Sequence, residues 1–157
     1  MDPINLTGKM SAETFSEMMA VSPRHVREIL FSQFGIKAKS KSLLKNLQQK
    51  KEERVKNLHE MLMRTKSRKE ADLCKELIRN WLYTKRPLLK SALDYLGVAN
   101  ENGLIESDPD FFARLTSDQV KGLYTHLCKD FSNEHVAIYL GFMQTPYLDS
   151  VASWTIE

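Results

Sequence analysis

Apolar residues recur at intervals of three and four along most of this 157-residue chain. No segment alternates apolar and polar residues as a half-buried strand would. Glycine and proline are scarce, with 6 and 5 residues, and they fall between the periodic segments. Apolar residues make up 42% of the chain, which is enough to build a core. The sequence therefore predicts an all-α protein, a multi-helix bundle.

Capping signals and apolar stripes locate the predicted helices. A long basic helix is expected over about residues 43–64, another over about 69–84, and a shorter one that begins at Pro87. Gly35 is suited to end the second N-terminal helix. Residues suited to cap a helix N-terminus precede five of the apolar segments: Ser11, Ser22, Ser42, Thr116 and Ser132.

Charge is distributed unevenly along the chain. Residues 37–90 carry 17 basic and 6 acidic side chains, whereas residues 91–157 carry 3 basic and 10 acidic ones. Such asymmetry marks either a surface for polyanions or two halves that attract each other. We expect a basic helical region over 1–66, an acidic C-terminal helical unit over 67–145, and a tail over 146–157.

Cysteine content and hydropathy bear on the compartment. Two cysteines are too few for a disulfide framework, and no apolar run approaches the roughly 20 residues that span a bilayer. The N-terminus has neither a basic lead nor an apolar core of a signal peptide. We expect a cytoplasmic or otherwise intracellular protein, nuclear if its source is eukaryotic, without a membrane partner.

The acidic segment GVANENGLIESDPDFF resembles a calcium loop at first sight. If Gly103 were the obligatory glycine of such a loop, the first and last ligand positions would fall on Val98 and Pro109. Neither side chain offers an oxygen. A helix end at the first glycine, followed by a tight turn at Asn102-Gly103, explains the segment better. We therefore predict a turn rather than a metal site.

Enzymatic signatures are missing from the sequence. It holds no glycine-rich phosphate loop, no nucleophile elbow and no pair of catalytic carboxylates in a recognisable frame. His126 and Cys128 lie near His135, but residues two apart on a helix point to different faces, and no fourth metal ligand is evident. The expectation is a protein without catalytic activity, cofactor or metal.

The segment ETFSEMMAVSPRHVREIL, residues 13–30, carries the most specific pattern in the chain. An apolar residue and a small one precede a short turn that ends in serine, and two apolar residues follow it: Phe15, Ser16, Ala20, Val21, Ser22, Val26 and Ile29. This pattern resembles the helix-turn-helix of bacterial DNA-binding regulators over 18 of the 157 residues. Ala20 and Ser16 depart from the glycine and alanine that are usual there. An ordinary amphipathic helix pair gives the same pattern, and both interpretations stay open.

The resemblance implies a set of nucleic-acid contacts. In such a motif the serine caps the second helix, Val21 fills the gap between the helices, and the first turns of the second helix meet the major groove. Lysines that follow the motif would add phosphate contacts. The implied contacts are Ser22, Arg24, His25, Arg27, Lys37, Lys39, Lys41 and Lys45.

Two functions follow as expectations. The first is a non-enzymatic nucleic-acid-binding protein with duplex DNA as its partner, whose C-terminal unit serves self-association or binds a protein. The second is a helical protein-protein interaction adaptor with opposed basic and acidic faces. An exposed positive face shared by Arg24, Arg27 and the lysines would favour the first.

Overall fold

The computed structural model describes residues 2–37, 51–64, 68–105 and 109–152. Within these ranges the chain forms nine α-helices and one 3-10 helix and no β-strand, so the predicted all-α class is confirmed. The helices are α1 Pro3–Lys9, α2 Ala12–Val21, α3 Arg24–Lys37, α4 Lys51–Arg64, α5 Arg68–Leu82, α6 Arg86–Tyr95, α7 Ser117–Leu127, α8 Asn133–Phe142 and α9 Leu148–Val151. The 3-10 helix is Pro109–Arg114. None of these helices is both long enough and apolar enough to cross a membrane.

The chain divides into two compact units, which we call the N-terminal unit, Asp2–Trp81, and the C-terminal unit, from Leu82 onward. All of α5 except its last residue belongs to the N-terminal unit. The predicted regions 1–66, 67–145 and 146–157 remain a prediction.

In the N-terminal unit, α4 packs against α1, α2 and α3. His59 of α4 is buried, donates from Nε2 to the backbone oxygen of Thr7 at 2.9 Å, and stacks on Phe15 with ring centroids 4.6 Å apart. Trp81 of α5 is buried and donates from Nε1 to Glu17 Oε2 at 3.0 Å. These side chains hold α4 against α1 and α2, and α5 against α2.

Three of the five predicted caps are confirmed, and Ser42 lies outside the described residues. Ser11 accepts a hydrogen bond from the amide of Thr14 at 3.1 Å, and Ser132 accepts one from the amide of His135 at 3.2 Å. Thr116 forms a reciprocal capping box with the residue three positions later. Local hydrogen bonds of this kind are encoded within a few residues, which is why the sequence reveals them.

Other helix limits were predicted wrongly or missed. Helix α3 continues through Gly35 to Lys37, because one glycine inside a helix costs only about 1 kcal/mol. Helix α1 was not predicted, although Asp2 caps it by accepting from the amide of Ile4 at 3.1 Å and Pro3 suits its first turn. Helix α9 has four residues, too few to show a period.

The turn predicted after α6 is confirmed. Gly97 has a φ of 68°, and its amide donates to the Asp94 oxygen at 3.1 Å. The Val98 amide donates to the Leu93 oxygen at 2.9 Å, which completes a Schellman motif. Helix α6 therefore ends at Gly97, which adopts the left-handed conformation at little cost because it has no side chain.

The Asn102-Gly103 turn follows directly. Both residues have positive φ, 50° and 82°, as a type I′ turn requires. Glu101 and Leu104 exchange backbone hydrogen bonds of 2.8 and 3.0 Å across it. Asn100 Oδ1 accepts from the Gly103 amide at 2.9 Å, so an amide side chain is used to hold the turn together.

Candidate functional site

Ser22 and Pro23 separate α2 from α3. A residue before proline is disfavoured in the helical conformation, and Ser22 accordingly adopts an extended backbone with φ −73° and ψ 147°. The segment that resembles a helix-turn-helix therefore does form two distinct helices, with α3 beginning at Arg24.

The predicted N-cap at Ser22 is wrong. Its amide donates to the Met18 oxygen at 3.1 Å, so Ser22 ends α2. The first hydrogen bond of α3 runs from the Arg27 amide to the Pro23 oxygen, which places Ser22 one residue too early to cap that helix. The Ser22 side chain is 4% exposed, and its hydroxyl has no hydrogen-bond partner among the described residues. The Ser22 hydroxyl is therefore not accessible to a phosphate at the surface.

Two apolar positions of the pattern are not buried. Val21 and Ile29 are each 42% exposed, whereas Val26 and Leu30 are fully buried. Val26 and Leu30 lie four residues apart and define the inward stripe of α3, which leaves Ile29 at its edge. The expectation that Val21 fills the gap between the helices is therefore wrong, and Ile29, an apolar position of the pattern, does not lie in the core.

The first two cationic positions of α3 lie at the surface beside carboxylates. The Arg24 side chain is 85% exposed, and its Nε lies 2.7 Å from Glu28 Oε1 one turn later. His25 Nε2 lies 3.7 Å from Glu76 Oε1, on α5. Each position is accessible, but the neighbouring carboxylate weakens the positive potential that a polyanion would meet.

Arg27 differs from both. Its side chain is half-buried, and its guanidinium has no ion-pair or hydrogen-bond partner within the described ranges. It lines a groove of about 460 Å³ bounded by α2, α3 and α4, which we call the N-terminal groove. Apolar atoms dominate the groove surface, and the apolar residues that line it are Met19, Ala20, Phe31 and Val55.

Charged side chains surround these apolar residues. Arg54 lies with its Cζ 5.0 Å from the Phe31 ring centroid, a cation–π arrangement that connects α4 to α3. The charged residues lining the groove are Arg24, Arg27 and Arg54, with Glu28 and Glu52. Sequence reasoning missed Phe31 and Glu52. The sequence signal that could have indicated the groove is Phe31, an aromatic residue that directly follows the inward-facing Leu30 of α3.

The predicted lysine contacts stay untested. Lys37 is the last described residue of α3, and its side chain is not described. Lys39, Lys41 and Lys45 lie outside the described residues. The structure thus brings Arg24 and Arg27 to one groove, and the face that they were expected to share with the lysines remains a prediction.

Within the described ranges, no three side chains of His, Cys, Asp or Glu lie close enough together to hold a metal ion. No protein-family model matches this sequence, and neither the curated proteins nor the solved structures gave a match. The N-terminal groove combines apolar residues with Arg27, a cation that no described residue pairs with.

Proposed function

We propose that the N-terminal unit is a protein-interaction module, and that its groove binds an acidic amphipathic helix of a partner protein. The observation that carries the proposal is Arg27, a half-buried cation beside apolar residues without a partner among the described residues. A guanidinium in such surroundings gains most from a carboxylate, which can accept two parallel hydrogen bonds from it.

The apolar part of the groove suits a helical partner. An amphipathic helix lays apolar side chains spaced three and four residues apart into a hydrophobic groove. The exposed Ala20 and the half-buried Phe31 supply the accessible part of such a surface, and the buried Met19 lies beneath it. Three arginines against two glutamates line the groove, which favours an acidic partner over a basic one.

Nucleic-acid binding is a second candidate. The exposure of Arg24 at the start of α3 and the basic sequence that follows α3 favour it. Glu28 and Glu52 count against it, because carboxylates beside the arginines would repel the phosphates of a duplex. Mixed charges around an apolar surface are more typical of a protein interface.

A selection from a displayed library of helical peptides tests the proposal. We expect enriched peptides to share apolar residues at helical spacing with acidic residues beside them. Ala20→Trp, which fills the groove, should abolish their binding, and Arg27→Gln should weaken it about tenfold, as the loss of a charged hydrogen bond does. Arg64→Gln, at an exposed arginine that does not line the groove, is the matched control.

Two results would contradict the proposal. One is the absence of any enriched peptide family, and the other is peptide binding that survives both groove variants. A mobility-shift assay with duplex DNA at low salt separates the second candidate. Binding of the duplex that is lost in Arg24→Ala/Arg27→Ala, with the fold intact by circular dichroism, would favour nucleic acid as the partner.

A further inference from the structure

A second cluster of side chains lies in the C-terminal unit, between α6 and α7. Tyr95 of α6 stacks on His126 of α7, with ring centroids 4.6 Å apart and planes inclined by 23°. Ser91, one turn before Tyr95, has its Oγ 3.4 Å from His126 Nε2. The two rings form an aromatic platform that remains accessible, since Tyr95 is 46% exposed.

Gly122 gives this platform its position. A Cβ atom at residue 122 would lie 2.6 Å from the Tyr95 hydroxyl oxygen, so only glycine lets the Tyr95 ring lie along α7 in this way. His126 follows Gly122 by four residues and therefore lies on the same face of α7. The platform thus depends on one residue without a side chain.

A shallow, open cleft of about 470 Å³ lies beside the platform. Its lining residues include Lys121, Thr125 and Lys129. Residues 91–157 carry three basic side chains, and two of them are these lysines. Neither lysine forms an ion pair with any described residue. Asp118 is the one carboxylate among the described lining residues.

We propose that this cleft binds a nucleotide unit, with the base stacked on the Tyr95–His126 platform and the phosphate between Lys121 and Lys129. A flat ring with an attached anion matches the aromatic platform on one side of the cleft and the two lysines on the other. Bases stack on exposed aromatic side chains without regard to sequence, and lysine ammonium groups neutralise phosphate. The unit can come from a free mononucleotide or from a single-stranded nucleic acid, which share this chemistry.

NMR titration of the full ¹⁵N-labelled chain tests this inference, with AMP, adenosine, inorganic phosphate and a short oligoadenylate as separate probes. We expect AMP to shift the amide signals of Gly122 and Thr125 in a saturable way. AMP should bind about tenfold more tightly than adenosine or phosphate alone, because each of these retains half of the contacts. Oligoadenylate that binds more tightly than AMP would identify single strands as the source, and the reverse would identify free nucleotides.

Three variants make the test specific. Lys121→Gln and Lys129→Gln should each reduce the affinity for AMP severalfold. Gly122→Ala should reduce it about tenfold by displacing the Tyr95 ring, and α7 itself should persist because alanine favours a helix. Lys75→Gln, at an exposed lysine of the N-terminal unit, should leave the affinity unchanged. The proposal is overturned by unsaturable shifts at millimolar AMP, by equal affinities for AMP and adenosine, or by wild-type affinity in all three variants.

Discussion

The turn after α6 allows the cost of a left-handed backbone to be separated from the cost of a steric clash, because its two glycines share the backbone conformation and differ in the space around them. Both Gly97 and Gly103 have left-handed backbones, with φ of 68° and 82°. A Cβ at Gly97 would meet nothing within 4 Å. A Cβ at Gly103 would lie 2.8 Å from Leu89 Cβ, 2.9 Å from the Lys90 nitrogen and 3.1 Å from the Arg86 oxygen.

The magnitudes follow from this geometry. A left-handed conformation costs a residue with a side chain about 1–2 kcal/mol, so Gly97→Ala should lower the free energy of unfolding by that amount. Gly103→Ala carries the same backbone cost and also forces a methyl group against backbone atoms of α6. These atoms cannot move away by rotating a side chain, and overpacking of this kind adds about 1–3 kcal/mol.

Urea unfolding of the full chain, followed by far-ultraviolet circular dichroism, measures both variants. Asparagine variants separate the backbone cost from the overpacking cost, since asparagine tolerates the left-handed conformation but keeps a Cβ. Gly97→Asn should be close to neutral, and Gly103→Asn should remain destabilised. The reasoning fails if Gly103→Ala is no more destabilising than Gly97→Ala, because the turn would then not lie against α6 as described.

Three further outcomes are expected. Thr116→Ala removes the capping box of α7 and should lower the free energy of unfolding by about 1 kcal/mol, measured by urea unfolding. Burial raises the pKa of the Cys74 thiol to about 11, so at pH 8 iodoacetamide should modify the half-buried Cys128 first and Cys74 on unfolding, as mass spectrometry can show. Hydrogen bonds from Lys90, and then Asn100, lower the pKa of Asp94, so Lys90→Gln should raise it in an NMR titration. The stabilisation from this pair is present above the unfolded pKa of about 3.9 and is lost as the pH falls through the folded value.

Local features of the fold were accessible from the sequence. The caps at Thr116 and Ser132 and the turn at Asn102-Gly103 use hydrogen bonds that span a few residues, and each has a recognisable residue pattern. The apolar spacing that predicted a helix over about residues 69–84 also matches burial, since Leu77 and Trp81 lie four residues apart on α5 and are fully buried. Periodicity reports burial when a helix has one neighbouring surface.

Pairings between distant segments were not accessible. The contact of His59 with Thr7, and that of Trp81 with Glu17, join residues more than 50 positions apart. The N-terminal groove also depends on contacts between distant segments, because three helices line it. The half-buried Arg27 matters there because no described carboxylate pairs with it, and a sequence cannot show that. A single sequence indicates the faces of each helix, but not which faces meet.

The net charge of a segment does not show which of its cations lie beside carboxylates. Cations at the N-terminal end of α3 and on α6 face carboxylates one turn away, as Arg24 does with Glu28 and Lys90 with Asp94. Lys121 and Lys129 lie in the acidic segment, yet no described residue pairs with them, and an aromatic platform lies beside them. Exposed charges more than about 8 Å apart are largely screened at physiological ionic strength. An anion therefore responds to the few charges around it, and the proposed phosphate site at Lys121 and Lys129 rests on these local pairings rather than on the net charge of the segment.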